Sequence, residues 1–229
     1  MAKKMFTLIL LMLILSLLFA GCVRDGQYPI EQVSLRGDME VREMSSFVWI
    51  YDSIDTLFSL STHVARVEIL DERTELVNRW IGQEHLGFEG EYDVLTVNTI
   101  KLLEVFKGGH EAGQIIEISQ LGGRYGNVYL NVTDNTPLTI GDELILFFDD
   151  HGFDLTRPAI VHCSVQSAYH VSSATERSNQ ASSMQDTGIL QAYEMGIINA
   201  NDKFEGVNES NNLSLTVGDL IRLTKPSNN

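Results

Sequence analysis

Cysteine and histidine are the side chains whose chemistry depends most on spacing, and this chain of 229 residues has two of the first and six of the second. Cys22 ends the run Phe19-Ala20-Gly21-Cys22. Before it lies Met5 to Ala20, apolar except for Thr7 and Ser16, and before that Lys3 and Lys4. A basic start, an apolar stretch and a pair of small residues is the order of a secretory signal and its cleavage site. The apolar run is shorter than the roughly 18 residues expected of a membrane-spanning helix. An ordinary signal has no need of a thiol at the cleavage point, so Cys22 is the residue to which a covalent role is first assigned.

The histidines do not form a metal motif by spacing. His63, His85, His110, His151 and His170 have none of the close pairs, such as His-x3-His, that mark zinc sites. His162 and Cys163 are adjacent, and neighbours on a strand face opposite sides, so they do not readily share an ion. His151 follows Asp149-Asp150 with Asp154 nearby. That group offers oxygen ligands but is too short for a calcium loop, and it reads first as a solvated turn. Gly-x-Ser-x-Gly and a Walker loop are both absent. The glycines of Gly122-Gly123-Arg124-Tyr125-Gly126 read as a hairpin loop, with no helix behind them to present amides to a phosphate. No pair of carboxylates stands out as a glycosidase pair. The expectation is therefore no catalytic residue, no metal ligand set and no cofactor. A long Gly- and Glu-rich insertion carries Trp80, His85, Phe88 and Tyr92. Aromatic residues in such a loop form a candidate binding surface, or else fold back as a local lid.

Charge narrows the partners. Thirty-one acidic residues against 16 basic ones give a formal net charge of −15, and removing Lys3 and Lys4 with a signal makes it more negative. Phosphate binding needs clustered Lys and Arg, so nucleic acid is excluded as a partner. Binding to anionic lipid through the protein surface is disfavoured for the same reason. Once Cys22 is modified, Cys163 cannot form a disulfide within the mature chain. Its strand-like surroundings, Ala159 to Val165, make it a core thiol, so a hydrophobic core must supply the stability.

The elements that would position these residues are mostly strands. Residues 22–45 are polar and aperiodic and read as a flexible tether. A short helix is expected from about Ser53 to Thr62, with Asp52 and Asp55 as a capping pair and Ile54, Leu57 and Phe58 on one face. Strands follow near Val64 to Leu76, Asp93 to Phe106, Gln114 to Gln120, Asn127 to Thr133 and Glu143 to Phe148, with one or two more in Ile160 to Val171. The apolar phase of Asp93 to Phe106 changes along its length, as it would with a β-bulge or burial on both faces. Leu144 to Phe148 is continuously apolar and reads as the most buried strand. Residues 172–187 are Ser-, Gln- and Asn-rich and read as a mobile loop. Residues 188–229 form a C-terminal extension. Ile189, Leu190, Tyr193 and Ile197 could mark a helix there. Alternatively Glu194 to Ile198 and Lys203 to Val207 could pair as a hairpin, which is the preferred reading. A last short helix starts at Thr216, with Asp219 in the capping position, and stops at Pro226.

Two resemblances follow from these residues. Residues 1–21 with Cys22 resemble the lipobox signal of bacterial lipoproteins, with Phe19 where Leu is usual. The resemblance implies a thioether-linked diacylglycerol on Cys22, cleavage before it and acylation of the new amino terminus. Residues 46–171 are the expected barrel domain, and within it His63 to Val171, with Leu-x-Val-Phe-Lys-Gly, Gly-x-x-Ile-x-Ile and Leu-x-x-Gly-Asp-Glu-Leu-Ile-Leu-Phe, resemble the β-barrels of uncharacterised exported Gram-positive proteins. They are also similar to the netrin-like, OB-type barrels of metalloproteinase inhibitors, whose disulfide framework this chain lacks, so inhibition is not carried over. The expected fold is mainly β, a small OB/netrin-like antiparallel barrel with a short N-terminal and a short C-terminal helix. The expected role is a binding or interaction module on the extracytoplasmic face of the cell membrane, anchored by lipid on Cys22 and meeting an envelope protein or ligand. The alternative is a hydrolase or metal-dependent enzyme whose site is assembled from distant residues such as Asp149, His151 and His162.

Overall fold

The computed structural model describes residues 40–44, 50–78, 92–150, 158–171 and 187–225. All of them belong to one unit spanning Gly37–Asn229. The chain is mainly β. Its strands are β1 (Glu40–Met44), β2 (His63–Asn78), β3 (Tyr92–Lys107), β4 (Ile115–Leu121), β5 (Gly123–Tyr125), β6 (Val128–Val132), β7 (Glu143–Asp149), β8 (Ala159–Val161), β9 (Ala168–His170), β10 (Lys203–Gly206) and β11 (Leu215–Thr216). The helices are α1 (Ile54–Leu60), α2 (Ile189–Glu194) and α3 (Val217–Thr224). Among the described residues no helix is long and apolar enough to cross a membrane.

The large sheet runs β11-β10-β9-β7-β2-β3-β4-β8. Its spine is the long antiparallel pair β2 and β3, whose register shifts at Val64/Ala65, Arg66/Val67 and Ile69/Asp71. These irregularities bend the pair and account for the phase changes read in the sequence of β3. β8 is paired on both sides, parallel with β4 and antiparallel with β7. A smaller sheet, β1-β6-β5, lies beside this one. Its strand β5 closes on the β2–β3 pair at Gly123, where a Cβ would come within 2.6 Å of Thr96 Oγ1 and Thr74 Cγ2 and where φ is +117°. Only glycine fits that approach.

β7 explains the core. Its five residues Leu144 to Phe148 are all buried. Alternation along the strand sends Leu144, Leu146 and Phe148 into one cluster, with Ala65, Val67, Ile69, Ile100, Leu102 and Ile118. Ile145 and Phe147 go into a second, with Leu57 and Phe58 of α1, Ile189 of α2 and Leu220 of α3. A strand buried on both faces reads as a continuous apolar run. A third, small cluster forms around Val94, Leu130 and Val132.

Three expectations need correction. The tether was expected through residue 45, but Glu40–Met44 is a strand paired in parallel with β6. Its partner lies far along the chain, so local polarity did not show it. The hairpin between Glu194 and Val207 does not form. Ile189–Glu194 is helical, and β10 pairs with β9 and β11. Gly188 gives α2 no side-chain cap. Glu104 on β3 supplies one, its carboxylate accepting from Ile189 N at 2.6 Å and Leu190 N at 3.2 Å. In α1 the N-cap is Ser53, which accepts from Thr56 N, while Asp55 pairs with Arg222 of α3 in a two-pronged ion pair. The capping box at Thr216 and Asp219 forms as read. The 172–187 loop lies outside the described residues except for Thr187.

Candidate functional site

Two histidine–carboxylate groups meet at the end of β7. Asp149 is the last residue of that strand and Asp150 the next, and continued alternation sends them to opposite sides. Asp149 Oδ1 accepts the amide N–H of Thr62 at 2.6 Å, and Asp150 Oδ1 faces His63 Nε2 at 3.0 Å. Consecutive carboxylates thus hold consecutive residues at the start of β2.

On the helix side, Asp149 Oδ2 is hydrogen-bonded to His162 Nδ1, and His162 Nε2 is 2.9 Å from the Tyr51 hydroxyl. A carboxylate has no proton to give, so Nδ1 carries the ring proton, and Nε2 accepts from the phenol. The result is a continuous relay from carboxylate to imidazole to hydroxyl, the order in which a base orients and activates a nucleophile. The rings of Tyr51 and His162 also lie nearly parallel, with centroids 5.5 Å apart. Burial, with the nearby Cys163 and Asp149, raises the Tyr51 phenol above its ordinary value of 10.0, so the group is a proton donor and not a standing phenolate. Burial alone would raise Asp149. The bonds from His162 and Thr62 outweigh it and hold the carboxyl below 3.8. Gln166 fixes the tyrosine in place. It is fully buried, accepts from Tyr51 N at 2.7 Å and donates to Tyr51 O at 3.0 Å and to Asn212 Oδ1 at 2.7 Å.

On the other side, His63 is buried and stacked on Phe148, with ring centroids 5.0 Å apart. His110, from the loop between β3 and β4, lies over it with centroids 4.5 Å apart. One donor atom each from His63, His110 and Asp150 falls within 4.8 Å of the others, a grouping among the described residues that could hold a metal ion. Gly108 makes room for them. Its φ is +110°, and a Cβ there would sit 2.1 Å from His63 Nδ1.

The sequence named some of these residues and not others. Asp149 and His162, taken there as distant partners, do come together. His151 lies outside the described residues, as do Cys22, Trp80, His85 and Phe88. Tyr92 opens β3 and is half-buried. Cys163 is buried, its thiol 3.8 Å from Gln166 Oε1. His162 and Cys163 lie just past the end of β8 and not within a strand, so strand alternation does not apply to them. Tyr51, Gln166 and the grouping of His63, His110 and Asp150 were not anticipated, because each depends on residues far apart in the chain. One signal was present: two carboxylates directly after the continuous apolar run Leu144 to Phe148 mark the point where the core opens to solvent. Comparison with protein-family models and with curated proteins finds no match.

Proposed function

We propose that this chain is a lipid-anchored protein of the extracytoplasmic membrane face, and that its folded part is a small OB-like barrel serving as a binding module. The observation that carries the anchor is Cys22, placed directly after a small pair and an apolar run behind two lysines. Two acyl chains give stable attachment where one is marginal, each buried CH2 contributing roughly 0.8 kcal/mol. A protein with a net charge of −15 needs such an anchor, since its own surface is repelled by anionic lipid. The barrel reading is supported by the strand pairings, which run in a circuit β7-β2-β3-β4-β8 and back to β7, with β4 and β8 parallel. That is the order expected of a five-stranded OB-type barrel.

The test replaces Cys22 with Ala in cells supplied with labelled fatty acid. Label and membrane association should both disappear, and the precursor should keep its leader. Unchanged labelling in C22A overturns the anchor.

A second reading, a hydrolytic enzyme, draws on one specific observation, the Asp149–His162–Tyr51 relay. It differs from the binding reading in requiring the relay for turnover.

A further inference from the structure

We propose that His63, His110 and Asp150 form a binding site for one divalent transition-metal ion, with zinc the best match. This gives the binding module a ligand, and it stands or falls separately from the Cys22 anchor, because metal titration and acyl labelling are independent readouts. Three observations carry it.

The first is the donor set. Two imidazoles and a carboxylate are ligands zinc takes in sites with three protein donors, where the fourth position stays open to water or a further ligand. Calcium and magnesium prefer all-oxygen shells. Donors around a tetrahedral zinc with bonds of about 2.0–2.1 Å lie roughly 3.4 Å apart. His63 Nε2 and Asp150 Oδ1 are already 3.0 Å apart, and all three donors lie within 4.8 Å. The remaining closure falls to His110, which sits in the largely exposed turn between β3 and β4.

The second is the state of His63. Its side chain is only 7% exposed, and Nδ1 is buried with no hydrogen-bond partner. That nitrogen lies against Gly108, so the donor is Nε2, which is turned to Asp150. The ring is locked, by Phe148 on one face and by the glycine at 108, which leaves just enough room for it. A rigid imidazole facing a carboxylate is what a preorganised ligand requires.

The third is the orientation of His110. Its Nδ1 lies 3.2 Å from Gln114 Oε1, an amide oxygen that can only accept. Nδ1 therefore holds the proton, and the Nε2 lone pair is free for an ion. Such an outer partner is the usual device by which proteins set the tautomer of a ligating histidine.

The experiment uses the full chain, extracted in detergent without a histidine tag, stripped with chelator and titrated with Zn2+ alone by calorimetry. One ion per chain is expected, with a rise in thermal midpoint. His110→Ala and Asp150→Asn should each weaken binding at least tenfold while leaving the metal-free midpoint close to that of the parent. Glu111→Gln, an exposed acidic neighbour, should bind as the parent does. Absence of saturable binding overturns the proposal. So does one-to-one binding that survives both H110A and D150N, since the ion would then lie elsewhere.

Discussion

Asp149 and Asp150 are chain neighbours that serve opposite faces of the same strand end, one joined to His162 and the other to His63. Each also ties β7 to the start of β2, through Thr62 N and His63 Nε2. β7 and β2 are already paired from His63↔Phe148 to Glu68↔Glu143. The two carboxylates therefore extend the strand pairing past its last backbone bond with side-chain bonds. A strand end built in this way is rigid, and rigid elements hold chemical groups more closely than loops do. The two histidines inherit their positions from the most buried strand of the fold.

Asp149 makes acid stability measurable. Its carboxyl is held below its ordinary value of 3.8 because the bonds from His162 and Thr62 outweigh the effect of burial. A depressed carboxyl contributes stability above the unfolded value, and that contribution is lost as pH falls through the folded value. Asp149→Asn should cost about 1–2 kcal/mol in urea unfolding at pH 7, a figure kept low because the carboxylate is partly solvent-screened. The difference from the parent should shrink at pH 3. An equal cost at both pH values would show that the carboxylate's charge is irrelevant there.

Gly108 is the position at which backbone shape and site are coupled. Its φ of +110° disfavours any L side chain, and a Cβ would overlap His63 Nδ1, a ring held in place by Phe148. Gly108→Ala should lower stability by about 1–3 kcal/mol and displace the His63 ring, which a shift of its ring-proton resonances would report. Gly109, the next residue, has open space where a Cβ would go. Gly109→Ala should leave those resonances where they are, and identical spectra for both variants would remove Gly108 from the site.

Local pattern and long-range pairing account for what the sequence showed and what it hid. The five-residue apolar run of β7 and the alternation of Val128, Leu130 and Val132 were legible, because burial on two faces or one writes itself directly into residue order. The helix at Ile189–Glu194 was legible only as the less favoured of two readings, because its missing cap is supplied by Glu104 from another strand. β1 was hidden for the same reason, its partner β6 being remote. At the site, Asp149 and His162 could be named as partners, yet their link to Tyr51 depends on Gln166 clamping that residue's backbone. His63 and His110 meet only because β3 returns antiparallel to β2 and its exit loop arches back over the strand start, with Val64 opposite Lys107. Motif spacing along the chain carries no trace of such a meeting.

Tyr169 sets the behaviour at the alkaline end. Its side chain is completely buried, edge-on to Phe147 with centroids 6.0 Å apart. Burial pushes the phenol up to about 12 against the lowering effect of Asn211, whose amide makes no well-aligned hydrogen bond to the hydroxyl. A group whose folded value is raised contributes stability in full below its unfolded value of 10.0, and loses that contribution as pH rises through the folded value. At pH 7, Tyr169→Phe removes a poorly satisfied buried hydroxyl and should change stability little. At pH 11 the parent should have lost about 1 kcal/mol that the phenylalanine variant keeps, so the two unfolding curves diverge as pH rises. Absorbance titration of the folded parent should show one tyrosine ionising later than the rest, and that late step should be missing in Y169F. If the late step persists in Y169F, the raised phenol belongs to another residue, and Tyr51, whose phenol burial also raises, is the first to test.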